Sequence, residues 1–212
     1  MSGGSPQAET ERVRSIQDRG AKRYDREMSV FDSVLFADGR DWAASRARGD
    51  VLEVAVGTGR NLAHYPSGIK LTGIELSPEM LARARKRAGE LGIDAELREG
   101  DAQGLDLPSE SFDTVVVTLA LCTIPDDRAA VREARRVLRP GGRLVLLEHV
   151  RSPSRTVRAA QRAIDPLTVR FWGDHFCRDP LDYLGDEGFE VESVARLKWG
   201  IVERVIARKP EA

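Results

Sequence analysis

The residues best placed to do chemistry are Gly57, Gly59 and Glu75. The stretch Val51-Leu-Glu-Val-Ala-Val-Gly57-Thr-Gly59-Arg-Asn reads as a buried parallel strand breaking into a glycine turn. Sixteen residues after Gly59, Ile74-Glu75-Leu-Ser-Pro reads as a second strand that ends on a carboxylate. Glycines let the backbone approach a ligand, and an acid at the end of the next strand accepts hydrogen bonds from ribose hydroxyls; together they predict a pocket for a nucleoside-like molecule. A dinucleotide site wants a third small residue, so that a helix dipole can face the pyrophosphate. Leu62 stands at that position, and Glu53 inside the strand repels phosphate. The charge logic therefore favours S-adenosylmethionine (SAM), which has an ammonium, a sulfonium and no phosphate. The competing reading is structural: a bare strand-to-helix turn, with Glu75 a plain acid before a helix.

In a doubly wound sheet, ligands gather at the carboxyl ends of the strands. His149 falls there and can act as a general base near neutral pH, or simply bond to backbone at a strand end. In Trp172-Gly-Asp174-His175-Phe-Cys177, Asp174 can orient or acidify His175, although adjacent side chains rarely face each other. Tyr24 and the N-terminal helices can close over the pocket, or merely pack. These four, Tyr24, His149, Asp174 and His175, are the catalytic candidates. A methyl on a sulfonium can be attacked directly by an aligned thiolate or amine, so no strong base is required.

The elements that position these residues follow an alternating pattern. Strands are predicted at 51–56, 71–75, 95–98, 113–118 and 143–150. Ser77-Pro78-Glu79 is a helix start, with Leu81, Ala84, Ala88 and Leu91 as its buried stripe and Gly92 as its stop. Asp126 or Asp127 caps the next helix, which Pro140-Gly141-Gly142 stops. Strand–helix alternation implies a parallel sheet with right-handed crossovers. Beyond 150 a helix over 156–165 is ended by Pro166, and 190–197 with 201–208 form an antiparallel hairpin. At the other end, 10–24 and 30–47 read as helices.

At this point the chain resembles the class I SAM-dependent methyltransferases. Glu53-x-Ala55-x-Gly57-x-Gly59, Glu75 with Leu76, Gly100-Asp101-Ala102, Thr118–Leu121 and Arg139-Pro-Gly-Gly142 stand in the family's order. The family commonly has glycine where Ala55 stands. The resemblance implies an α/β, Rossmann-like seven-stranded sheet with a C-terminal antiparallel hairpin and an N-terminal helical cap. It implies that Gly57 and Gly59 approach the amino-acid and ribose parts of SAM and that Glu75 accepts from the ribose. It places Asp101 and Ala102 at the adenine, Thr118 and Leu119 beside the methionine part, and Glu53 behind the ligand. Asp101 has a plainer reading as a turn-former after Gly100. Within the family, the chain is similar to the branch of ubiquinone/menaquinone methyltransferases, phospholipid N-methyltransferases and methyltransferase-like-7 thiol methyltransferases. Thr118–Cys122, Leu138–Gly142, Glu148-His149-Val150, Asp165-Pro166 and Trp172 carry that likeness. It implies a small, fairly apolar acceptor: thiol, lipid-like or quinone-like. The alternatives are a non-methylating reaction on the same fold, or a ligand- or partner-binding protein without turnover.

Bulk properties set the frame. The 212 residues suit one well-cored domain, and a net charge of -1 argues against general nucleic-acid binding. Cys122 and Cys177 form no metal-ligand pattern, so no metal and a reduced, cytoplasmic setting are expected. No apolar run reaches the ~20 residues that span a bilayer. The expected organisation is a disordered leader over 1–9 and one domain over 10–212. Within it lie a helical cap (10–48), a cofactor-binding core (49–150), an acceptor-side cap (151–180) and the hairpin (181–212). Arg155, Arg158 and Arg162 share one helix face, which is either solvated or in peripheral contact with an anionic membrane.

Overall fold

The apolar runs become the middle of the sheet. The computed structural model describes residues 5–211. Its strands are β1 (Asp50–Val54), β2 (Lys70–Glu75), β3 (Ala95–Glu99), β4 (Phe112–Thr118), β5 (Leu138–His149), β6 (Glu190–Leu197) and β7 (Val202–Arg208). They form a seven-stranded sheet in the order β3-β2-β1-β4-β5-β7-β6. The first five are parallel, and β7 runs antiparallel to both neighbours. After β3 the chain returns to the far side of β1, which opens a crevice at the carboxyl ends of β1 and β4.

Period-two alternation sends neighbouring residues to opposite faces. Leu52, Val54, Val115 and Val117 pack with Val131, Ala134 and Val137 of α4 (Asp127–Val137). Val51, Val116, Val145 and Leu147 pack with Ala43 of α2 (Gly39–Ala44) and with Leu81 and Ala84 of α3 (Pro78–Leu91). Helix α3 is built as its sequence dictates. The Ser77 hydroxyl accepts from the Met80 N–H at 3.2 Å, Pro78 opens the first turn, and Gly92 closes it at φ 66°. Asp126 caps α4 by accepting from the Ala129 N–H at 2.8 Å.

Four local expectations are corrected. Helix α1 runs unbroken from Pro6 to Phe31, because Ser5 caps it and Pro6 fits its first turn. It therefore begins inside the stretch expected as a leader, of which residues 1–4 lie outside the described residues. A short π turn (Asp32–Phe36) follows, then α2. Helix α4 ends at Val137, ahead of Pro140-Gly141-Gly142. That triplet lies inside β5, looped out where the register jumps from Phe112↔Leu138 to Thr114↔Arg143. Pro166 does not end its helix: α5 spans Arg155–Trp172. A proline removes one backbone bond from an exposed turn, and the stop comes at Gly173, left-handed at φ 70°, whose N–H returns to the Val169 carbonyl at 3.1 Å.

Candidate active site

A cleft opens at the carboxyl ends of β1, β2 and β3. Ala55, Glu75, Leu76, Asp101 and Ala102 line its floor, and Val13 and Gln17 of α1 cover it. Two carboxylates face this space, and among the described residues no lysine, arginine or histidine lines it.

Glu75 is 3% exposed and holds the glycine turn in shape. One carboxylate oxygen accepts from the Gly57 N–H at 2.9 Å, the other from the Ser77 N–H at 2.8 Å. Burial lifts its pKa, against the pull of those N–H groups. Gly57 and Gly59 are both left-handed, at φ 58° and 78°. A Cβ at Gly59 would come within 2.7 Å of Leu62 and 3.2 Å of the Ala84 backbone. At Gly57 a Cβ would meet nothing nearer than 4.0 Å, so that side of the turn faces open space. Ala55 and Leu119, at the ends of β1 and β4, are left-handed too, at φ 55° and 54°. Non-glycine residues in that region carry strain of about 1–2 kcal/mol, and such strain clusters at functional sites.

Glu53 lies behind the loop, 1% exposed. Asn61 donates to it at 2.8 Å and the Tyr65 hydroxyl at 3.0 Å. Burial pushes its pKa up to about 7, although both hydrogen bonds oppose the rise. Asn61 also donates to Thr118 Oγ1 at 2.8 Å and accepts from Arg40 at 3.1 Å. Thr118 thus reaches the site as part of this network. Asp101 is fixed by Gln103, whose backbone and side-chain N–H groups both donate to it at 2.9 Å.

Helix α1 is stitched across the site by aspartates seven residues apart. Asp18 accepts from the Ser77 hydroxyl. Asp25 accepts from Thr58 Oγ1 at 2.5 Å and Arg87 at 2.6 Å. Asp32, just past the helix, accepts from Arg40 at 2.9 Å and Arg60 at 2.7 Å. Sequence reading missed these aspartates and also Arg40, Asn61 and Tyr65. The seven-residue spacing on a helix was the available signal. Replacing Asp32 by asparagine leaves the buried Arg40 guanidinium without a charge partner and Arg60 with only Asp25, 3.7 Å away. The loss of about 1.5 kcal/mol should lower the melting temperature by about 3–6 °C in calorimetry.

At the end of β5, Asp174 meets His149 and not its neighbour His175. His149 Nε2 lies 3.0 Å from Asp174 Oδ1, and Phe176 packs edge-on against the ring at 4.9 Å. Burial disfavours a charged ring here, but the Asp174 carboxylate, with Glu148 beyond it, outweighs this and lifts the pKa above the ordinary histidine value. Cys122, fully buried, brings its sulfur into the same cluster; the donor atoms of Cys122, His149 and Asp174 lie within 4.8 Å of one another. His175 sends its backbone N–H to the Cys122 carbonyl at 2.9 Å, and burial and Arg178 press its ring pKa down. Tyr24 points inward from α1; burial pushes its hydroxyl up to about 12, with Arg40, Cys122 and Glu75 in its surroundings.

Comparison with known proteins gives this geometry its context. Residues 52–146 match a family described as a methyltransferase domain. The chain is 42% identical over 118 residues to phosphatidylethanolamine N-methyltransferase of Cereibacter sphaeroides, covering 55% of this chain and 58% of that protein. It is 36% identical over 136 residues to demethylmenaquinone methyltransferase of Thermus thermophilus, covering 63% and 62%. It is 33% identical over 122 residues to mouse thiol S-methyltransferase TMT1B, covering 56% and 50%. The chain thus spans between half and two thirds of these relatives' length. Among solved structures, a SAM-dependent methyltransferase of Thermotoga maritima, described as a possible histamine N-methyltransferase, shares the fold. Its TM-score is 0.72 at 24% identity, over 93% of this chain and 99% of that one. The [4+2]-cyclase SpnF shares it too, with a TM-score of 0.68 at 21% identity, over 84% and 80%. With the strand order, the glycine turn and the two strand-end acids in place, the chain shares the fold of these methyltransferases, and its residues 52–146 are similar to a methyltransferase domain.

Proposed function

We propose that the protein transfers a methyl group from SAM to a small, fairly apolar acceptor. The observation that carries this reading is the charge of the cleft: Glu75 and Asp101 line it, Glu53 backs it, and among the described residues no lysine, arginine or histidine lines it. Such a site fits an adenosyl group bearing an ammonium and a sulfonium and disfavours a pyrophosphate. When bound, SAM supplies an electrophilic methyl on a positively charged sulfur. Glu75 accepts from the ribose hydroxyls with the lone pairs that Gly57 and Ser77 leave free, and Asp101 accepts from the adenine amino group. Ala102, Gly57, Gly59, Thr118 and Leu119 provide backbone and small surface around the rest. The test is methyl-labelled SAM incubated with a thiol, a demethylated quinone and phosphatidylethanolamine. Label should appear in at least one acceptor, with S-adenosylhomocysteine released in equal amount. Tight retention of SAM without transfer to any of the three would favour a binding protein or another chemistry on this fold.

His149 is the base of this reading and Asp174 its positioning residue; Tyr24 closes the site from above. His149 withdraws a proton from the acceptor only when neutral, so activity rises as pH climbs through its raised pKa. Asp174→Asn removes the carboxylate that favours the charged ring. The acidic limb of the kcat/KM profile should then move to lower pH. An unmoved limb, in a variant that still melts cooperatively, removes the pair from the proton path. The choice of acceptor panel is supported by the relatives, whose names specify phosphatidylethanolamine, demethylmenaquinone and a thiol.

A further inference from the structure

Helix α5 carries more apolar surface than the fold uses. Its inward side is marked by Gln161, which is buried and ties the helix to β5 by donating to the Val150 carbonyl at 2.9 Å. At about 100° per residue, Ile164, Leu167 and Phe171 fall in one stripe on the outer side. They are 43%, 56% and 58% exposed. Arg155, Arg162 and Arg170 fall in a second outer stripe beside the first. The single acid of the helix, Asp165, lies on the inward flank, half-buried. The outward surface is therefore apolar and cationic, with no carboxylate.

Two exposed tryptophans bracket this surface. Trp172 ends the helix at 58% exposure. Trp199, at the β6–β7 turn, is 77% exposed, and its carbonyl accepts from the Ser152 hydroxyl at 2.6 Å, just ahead of the first turn of α5. The far end is held by α1, where Arg12 donates to the Val169 carbonyl at 3.1 Å. The helix is thus fixed from within and open outside.

Indole rings and arginine stems both place an apolar body against a polar tip, as the zone between water and lipid requires. We infer that the outer face of α5, with Trp172 and Trp199, docks the protein on an anionic lipid bilayer, with the helix lying in the plane of the headgroups. Charge complementarity selects this occupant. A second copy seated through a two-fold axis would place the same arginines opposite one another. The inference stands apart from the methyl-transfer reading, since it needs neither cofactor nor turnover.

The test is flotation of the full chain with vesicles of phosphatidylcholine alone and of phosphatidylcholine mixed equally with phosphatidylglycerol, at low and high salt. The protein should float with the anionic vesicles, lose most of that binding at high salt, and shift its tryptophan emission to the blue on binding. The double variant Leu167→Asp/Phe171→Asp and the double variant Arg155→Gln/Arg162→Gln should each weaken partition by about tenfold or more while keeping the wild-type circular dichroism. Failure of the folded wild type to float at low salt overturns the inference, and so does equal flotation of either variant. Sedimentation that shows a dimer, split by Leu167→Asp/Phe171→Asp without any vesicle binding, assigns the face to a second copy and overturns it as well.

Discussion

Replacing Glu75 by glutamine should weaken S-adenosylhomocysteine binding, measured by calorimetry, by about ten- to a hundredfold, or about 1.5–3 kcal/mol. The side chain does two jobs with two oxygens. It holds the Gly57 and Ser77 N–H groups at 2.9 and 2.8 Å, and its free lone pairs face the cleft. Glutamine keeps the size but replaces one acceptor by an NH2 donor. That donor must point either at a backbone N–H, which loosens the glycine turn, or at the ligand, which loses an acceptor. Neither orientation restores the charge. Equal affinity of variant and wild type would take Glu75 out of ligand recognition and leave it as a loop anchor only.

The second large effect concerns pH and stability. The Glu53 pKa is raised by burial from 4.5 to about 7. The folded state therefore holds this proton more tightly than the unfolded chain does. The stability it contributes is complete below about pH 4.5 and is lost as pH rises through about 7. The gap is worth about 3 kcal/mol. Glu53→Gln carries no titrating proton, can still accept from Asn61, and can offer its NH2 to the Tyr65 oxygen. Urea unfolding at about pH 5 and about pH 8 should show wild type losing about 3 kcal/mol relative to the variant between the two conditions. A constant difference would mean that Glu53 is ionised throughout and held so by Arg40 through Asn61. Glu148 and Glu203 are pushed to about 7 by burial as well, so the Glu53→Gln variant should keep part of the pH dependence.

Much of the frame was legible because local and global signals agreed. The strands around Val51–Val54 and Thr114–Val117 are runs of buried residues, apolar but for Glu53 and Thr114, as strands covered on both faces are. Ser77-Pro78 and Gly92 mark their helix by chemistry that works without tertiary context. Glu75 and Asp101 stand at strand ends, where topology alone delivers them to the crevice. The misreadings have a common cause. Pro166 was judged by its local effect, but inward anchoring carries α5 past one missing hydrogen bond. Asp174 was judged against the residue next to it. Its partner, His149, is delivered by the end of a different strand. The Glu53–Asn61–Tyr65 network joins residues whose types are ordinary for a loop, and only their burial makes them a unit. Asp18 and Asp25 on a highly charged helix, and Asp32 just past its end, are indistinguishable by composition from the helix's solvated residues.

The seven-residue interval between those three aspartates makes the length of the segment as constrained as its residues. One residue added between Asp18 and Asp25 would rotate everything downstream by about 100° and turn Asp25 and Asp32 away from Thr58, Arg40 and Arg60. Seven added residues would restore the facing but carry the anchors about 10 Å too far along the axis. Substitutions elsewhere on α1 are absorbed one at a time. Insertions and deletions are not, so natural variation in this stretch should change letters and never their number.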